Sequence, residues 1–431
     1  MIKKIISSFL AKIIIIFSGI VVSGYLSRSL TENDFGLYAL CLSLITFSSL
    51  IGSSGMHLSL SKHYHTYKNN SNFNEYILYT LFFGICNLSL AFAFLKFFNI
   101  DIFKDINNVL IYVFIIGIIF SIIRVLADYF RATDRIRLFL NLNTLSSGGG
   151  VFLWASFLVL VVMLNFFDSI SLTSVLCVLI ISSIFTLVLS FYNLNIRFIY
   201  LKKLLINILN FKFNFEYFKF LNSSLSFMVI NILFQMNNFL PIWFIGIFFS
   251  PIEAGYFFAS KKICSLVLAP LSIIDIVFPS DISKTFLNDR TNLQILVKKL
   301  SSIRFIVSSL LFILIYFFNR EIILIIFGAD FIVIENIINI LLLFYLPQFI
   351  FGSSHQLLIM TNARKIVIVF DTLLIFSSIF IYYLFLNVLT LELFVLILSI
   401  ISLIRYFIYF IIAYFYIGIN TLPNPFTLSI K

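Results

Sequence analysis

The sequence predicts an all-α, polytopic integral membrane protein, with about twelve transmembrane helices in two six-helix lobes around a central cavity. Three observations carry this. The 431 residues are 61% hydrophobic and only 11% charged, whereas ordinary soluble domains carry about 25% charged residues. The apolar residues gather into runs long enough to cross a bilayer as helix, which takes about 20 residues. The runs then fall into two sets of six that share local sequence features.

Taken along the chain, the apolar runs lie at roughly 5–27, 36–60, 76–98, 107–130, 144–165, 170–193, 221–248, 252–278, 300–318, 333–360, 365–386 and 390–416. Phe, Ile and Leu dominate all of them. The alternation over about 10 residues that marks a membrane β-barrel strand is absent. The first run lacks a small-residue cleavage site and is long enough to span, so it is expected to act as an anchor. Cys41, Cys86, Cys177 and Cys264 sit scattered in apolar segments without metal or redox spacing, and are expected to be small buried apolar side chains.

Orientation follows from Lys and Arg in the connections, which concentrate on the cytoplasmic side. One side collects Lys3 and Lys4, Lys62 and Lys68, Arg131, Arg135 and Arg137. It also collects Arg197, Lys202, Lys203, Lys212 and Lys219, then Lys284, Arg290, Lys298, Lys299 and Arg304, then Arg364, Lys365 and Lys431. The other side holds only Arg28, Lys96, Lys104 and Arg320. Both termini are therefore expected in the cytoplasm. The net charge of +11 is accounted for by this topology, so it does not point to a nucleic-acid partner.

The two sets of six share features. "DFGLYAL" (Asp34 to Leu40) opens run 2 and "EAGYFFA" (Glu253 to Ala259) opens run 8, with Gly36 matching Gly255. "RATDRIR" after run 4 and "MTNARKI" after run 10 match at Thr133 and Thr361. An even number of spans per half means both halves enter from the same side, so the repeat axis is expected along the membrane normal. The domains read as 1–193, a cytoplasmic linker at 194–220 and 221–431. The linker, with "KFNFEYFKF", reads either as an interfacial amphipathic helix or as a plain loop.

"SRSLTENDFGLYALCLSLITFSSLIGSSG" (Ser27 to Gly55), "IEAGYFFASKKI" (Ile252 to Ile263) and "ILIIFGADFI" (Ile323 to Ile332) together resemble the polysaccharide-transport branch of the multidrug/oligosaccharidyl-lipid/polysaccharide exporter superfamily. The resemblance covers nearly the whole chain. It implies a flippase of the O-antigen type in the bacterial inner membrane. Its cargo would be undecaprenyl-diphosphate-linked oligosaccharide, and its partners membrane lipid and, in the same pathway, a polysaccharide polymerase and a chain-length regulator. No cofactor, metal or enzymatic activity is implied. Run 7 departs from the pattern: where such proteins often carry charges it reads "FQMNNFLPIW", with Gln235, Asn237 and Asn238, so no carboxylate is available there for ion coupling.

A charge at the bilayer centre costs about 2.5–3.5 kcal/mol on insertion scales, so ionisable residues within spans usually face a wet cavity or a partner. Lys261 lies nine residues past Ile252, roughly 13 Å along a helix. Stepping by three and four, its face reads Lys261, Ser265, Leu268, Ser272 and Asp275, which is largely polar. Lys262 shares a face with Gly255, Ala259, Leu266 and Ala269 and is expected at the cavity edge. The candidate cavity cations are Lys261, Arg124, Arg405, Lys12 and Arg28. Asp128, Asp275, Lys262, Gln235 and Asn238 are the supporting or gating candidates. Several have local readings too. Arg124 and Asp128 are i, i+4 partners, Lys12 can snorkel, Arg28 suits a helix C-terminus, and Asp371 is expected to pair with Arg364 and Lys365. His57, His63 and His65 lack acidic or cysteine neighbours and form a weak metal signal.

A diphosphate cargo would explain cations at mid-depth, because paired charge lowers the cost of an anion crossing hydrocarbon. Two other classes stay open. A membrane polymerase or glycosyltransferase would want a sizeable outer loop or an acidic catalytic motif, and every outer loop here is short. A multidrug or cation antiporter would want membrane carboxylates, and this chain has more buried Lys and Arg than Asp and Glu. A peptidoglycan-precursor flippase is a further alternative.

Overall fold

A computed structural model describes residues 2–56, 59–60, 73–97, 109–133, 135–142, 150–164, 170–193, 215–268, 282, 285–286, 290–351, 353–361, 363–385 and 389–424. All regular structure among them is helical. In chain order the helices are α1 (Ile2–Ser29), α2 (Glu32–Gly52), α3 (Phe73–Phe97), α4 (Leu110–Ala132), α5 (Ile136–Leu142), α6 (Val151–Leu164) and α7 (Leu172–Asn193). They continue with α8 (Phe215–Phe248), α9 (Pro251–Cys264), α10 (Arg290–Phe317), α11 (Asn319–Ile326), α12 (Glu335–Ile350), α13 (Ser354–Met360), α14 (Arg364–Leu384) and α15 (Leu391–Ile412). Short 3₁₀ turns follow α9 and α11 at Ser265–Leu268 and Ala329–Ile334.

Eight helices among the described residues are long and apolar enough to cross a membrane, nine if the bent α8 is one span, and Ile15–Ser29 and Val151–Leu164 are shorter apolar helices. Each of the twelve predicted runs overlaps a helix, but among the described residues only eight or nine of these helices have the length and hydropathy of a span. Several boundaries move: the helix of run 2 ends at Gly52, the described helix of run 5 begins at Val151, and run 10 is split into α12 and α13. Run 8 is α-helical only to Cys264, and residues 269–281 lie outside the description. Helix α10 starts ten residues before the predicted run 9, at Arg290, and Arg304, which lies inside that run although its charge counts with the preceding connection, is buried at 3% exposed.

Contacts divide the chain into two compact units, Met1–Val22 with Ser29–Gly255, and Ser23–Arg28 with Tyr256–Lys431. The sequence reading placed the division in the 194–220 linker, whose residues to 214 lie outside the description. By packing, α8 belongs with the first unit because it lies along α2.

In the first unit, α2 is the central helix, packed on α4, α3 and α8, while α4 and α6 pack on α7. Its start is set by Thr31, whose hydroxyl accepts from the Asp34 N–H at 3.2 Å, with Glu32 and Asp34 in the positive first turn. Small residues let these helices touch backbone to backbone, as membrane packing requires. A Cβ on Gly117 would sit 2.3 Å from Ser48 Oγ, and one on Gly84 would sit 2.2 Å from Gly52 O. The interior hydroxyls return to their own helices, as in Ser48 to Ile45 O at 2.9 Å and Ser121 to Ile118 O at 2.7 Å. Gly36 and Gly255, matched in the repeat, meet here: a Cβ on Gly255 would lie 3.2 Å from Gly36 Cα.

In the second unit, α12 packs on α15 and α10. Ser399 and Ser402 on α15 donate to Ile340 O at 3.1 Å and Phe344 O at 2.8 Å on α12, giving polar cross-links in an apolar bundle. The large apolar side chains point outward, with Phe376 67%, Val369 61% and Phe407 46% exposed. That is the arrangement for a protein whose solvent is lipid.

Candidate functional site

Helix α9 opens with Ser250 as its N-cap. Ser250 Oγ accepts from the Glu253 N–H at 3.2 Å and bonds the Glu253 carboxylate at 3.2 Å, and Pro251 occupies the first helical position. This start fixes the register that places Lys261 and Lys262 in the last α-helical turn. Cations there also complement the negative end of the helix dipole. Each ammonium lies over a phenyl ring one turn back: Lys261 Nζ is 6.0 Å from the Phe257 centroid and Lys262 Nζ is 5.0 Å from the Phe258 centroid.

One sequence expectation changes at this point. The polar stripe from Lys261 to Asp275 needs unbroken α-helix, but the helix gives way to 3₁₀ at Ser265, and Ser272 and Asp275 lie outside the described residues. Lys261 and Lys262 are both half-buried.

The other candidates separate into local groups. On α4, Arg124 and Asp128 are 2% and 1% exposed and interact electrostatically. Arg131 adds an ion pair to Asp128 at 3.6 Å while lying 5.4 Å from the Phe139 ring centroid. Arg28 is a helix cap: its Nη2 donates to Leu324 O at 2.9 Å and Ile325 O at 2.6 Å, the last carbonyls of α11. Next to it Ser27 donates to Phe327 O at 3.3 Å, and Gly328 turns the chain with φ 99°. So two of the family-like stretches, "SRSL" and "LIIFG", dock on one another. Lys12 lies within α1, its side chain outside the description, as are His57, His63 and His65. On α8, Asn238 Nδ2 donates to Gln235 Oε1 at 3.1 Å.

Arg405 on α15 is held by Asp371 of α14, with Nε at 3.1 Å and Nη2 at 3.0 Å from the same carboxylate oxygen. Tyr409, one turn along, accepts from Arg405 Nε at 2.9 Å and donates its hydroxyl to Asp371. Asp371 therefore pairs across to α15. Its predicted partner Lys365 is exposed on the same helix, and the side chain of Arg364 is not described. The His355 ring lies tilted by 32° against the Tyr409 ring, with centroids 5.0 Å apart, and feels the charges of Arg405, Asp371 and Arg304. Sequence reasoning missed His355 and Arg304 here. Arg304 lies inside the predicted run at 300–318, although its charge counts with the connection before it.

The groups set into the membrane helices supply positive charge, amides and hydroxyls: chemistry for holding and orienting an anion or a polar headgroup. A family model described as polysaccharide biosynthesis protein matches residues 1–285. Two crystal structures are similar over 96% of this chain and 96% of theirs: MATE in complex with MaL6, at 12% identity and TM-score 0.64, and MATE in complex with MaD3S, at 14% identity and TM-score 0.58. At such identities the likeness is one of fold. No curated protein matches the chain. With the helices, the fold and the family match taken together, this is a multi-pass membrane protein of MATE-like fold that belongs to the polysaccharide biosynthesis protein family.

Proposed function

We propose that the chain is a flippase, not an enzyme, that moves undecaprenyl-diphosphate-linked oligosaccharide from the inner to the outer leaflet of the bacterial inner membrane. Its termini lie in the cytoplasm, and a polymerase and chain-length regulator act on the delivered cargo. The observation that carries this reading is the adjacent pair Lys261 and Lys262, set about 15 Å along helix α9 in a chain of the polysaccharide biosynthesis protein family. Two cations at that depth match a diphosphate headgroup, and the polyprenyl tail can stay in lipid while only the polar head crosses. A cation antiporter is disfavoured by the surroundings of Asp128 and Asp371. Each already has an arginine beside it.

The test is deletion and complementation. Deleting the gene should leave lipid-linked repeat units on the inner leaflet and stop surface polysaccharide, and the wild-type gene should restore it. Normal surface polysaccharide in a deletion strain that has no second flippase contradicts the reading.

A further inference from the structure

A further set of side chains lies within the first unit where α2 meets α8. Span α8 bends by 46° between Tyr217–Leu233 and Gln235–Phe248. Beyond the bend, Pro241 cannot donate to the carbonyl of Asn237. At the bend itself the side chain of Asn237 donates to Leu233 O at 3.3 Å. Interrupted spans of this kind are where membrane transporters place ligand-binding groups.

The residues after the bend share one helical face: Gln235, Asn238, Phe239 and Trp243 follow at steps of three and four. Ser43 and Phe47, one turn apart on α2, meet them. Phe239 and Trp243 are stacked at 5.9 Å and 16°, and Phe47 stands edge-on to both, at 6.0 Å and 4.9 Å. Trp243 Nε1 donates to Ser43 Oγ at 2.8 Å, which fixes the indole plane. All three rings keep part of their surface exposed. The Gln235–Asn238 bond fixes the two amides against each other, and each primary amide has four hydrogen-bonding positions to fill. Amides clustered on a membrane span are costly against lipid, so this face suits water and a polar ligand.

None of these six side chains carries a charge. The set therefore does not match a diphosphate or a metal ion. It matches a sugar ring. The negative face of an aromatic ring attracts the weakly positive C–H face of a pyranose, while the part-exposed Asn238 amide, held by Gln235, bonds sugar hydroxyls and the buried Ser43 hydroxyl, which also donates to Leu40 O, holds the indole in place. We propose that Gln235, Asn238, Phe239 and Trp243, with Ser43 and Phe47, form a carbohydrate-binding patch for the sugars of the cargo. This rests on the flippase reading and divides recognition in two, with lysines for the diphosphate and a neutral aromatic–amide patch for the oligosaccharide.

The chain's two tryptophans are Trp154 and Trp243, and Trp154 is 1% exposed, so Trp154→Phe leaves Trp243 as the single emitter inside the patch. The purified variant is titrated with three probes: undecaprenyl diphosphate bearing oligosaccharide extracted from the host, undecaprenyl diphosphate alone, and the free oligosaccharide. Emission should change with the first probe, more weakly with the third, and not with the second. Phe239→Ala should weaken the sugar-bearing probe by about tenfold, the scale of one aromatic contact, and Gln235→Leu should weaken it while leaving the rings in place. Lys261→Ala should keep the response to free oligosaccharide. An equal response to the lipid diphosphate with and without sugar, or no response to either sugar-bearing probe, overturns the patch. The flippase reading is judged separately by cargo movement between leaflets, which does not depend on Trp243.

Discussion

Asp371→Asn removes one charge from a buried pair and leaves the other in place. Arg405 has two nitrogens at 3.0–3.1 Å from one oxygen of Asp371, and the two residues are 8% and 4% exposed. With the carboxylate gone, the buried guanidinium loses the counter-charge that Asp371 supplies. Breaking a buried pair from one side costs about 3–5 kcal/mol, while replacing both partners by apolar or neutral groups of similar volume is close to neutral. Asp371→Asn and Arg405→Met should therefore each lower unfolding free energy by about 3 kcal/mol or more. The double variant should lose much less than the sum, with a coupling of about 2–3 kcal/mol. The assay is equilibrium unfolding of the four proteins in mixed detergent micelles. Additive losses would refute the reasoning, because they would mean that the two side chains do not hold one another.

Gly36→Ala should destabilise the first unit by about 1–3 kcal/mol or more. Its Cβ would lie 1.7 Å from Pro251 O, which is backbone and cannot swing aside; wild-type thermal stability would contradict this. Arg28→Ala should cost about 1 kcal/mol through the lost cap on α11, and Arg28→Lys should recover part of it; equal stability of Arg28→Ala and wild type would show that the cap contributes nothing. A reporter fused after Tyr200 should read cytoplasmic and one after Leu389 should read external, and reversed signals at both would overturn the assigned orientation.

Most of the fold is legible in the sequence because lipid imposes one rule. Backbone polar groups must be satisfied within each span, so apolar runs become helices and little else. Hence Leu110–Ala132 and Leu391–Ile412 fall where hydropathy puts them. Helix ends are less legible. Arg290 to Lys299 is polar enough to read as loop, yet it continues α10, because Leu293, Val297 and Leu300 on one face are buried in the second unit. The candidate site is legible as residue types, less so as pairings. Arg124 and Asp128 are four apart on one helix, so their meeting can be read from spacing. Asp371 and Arg405 lie on different helices, and only the packing of α14 on α15 brings them together. The ring trio at Phe47, Phe239 and Trp243 was hidden in the same way among the many aromatics of a membrane bundle.

The central claim is that Lys261 serves an anionic cargo, and leaflet transfer in proteoliposomes tests it directly. Wild type, Lys261→Ala and Lys261→Arg are reconstituted with undecaprenyl-diphosphate-linked oligosaccharide, under an imposed inside-negative potential and without an ion gradient. Outward movement of each negative charge is favoured by about 2.3 kcal/mol per 100 mV. The potential should therefore speed outward transfer by the wild type, Lys261→Arg should retain part of the rate, and Lys261→Ala should lose it while still inserting. Transfer by Lys261→Ala at the wild-type rate would contradict the account and leave the lysine as a helix-end cation alone.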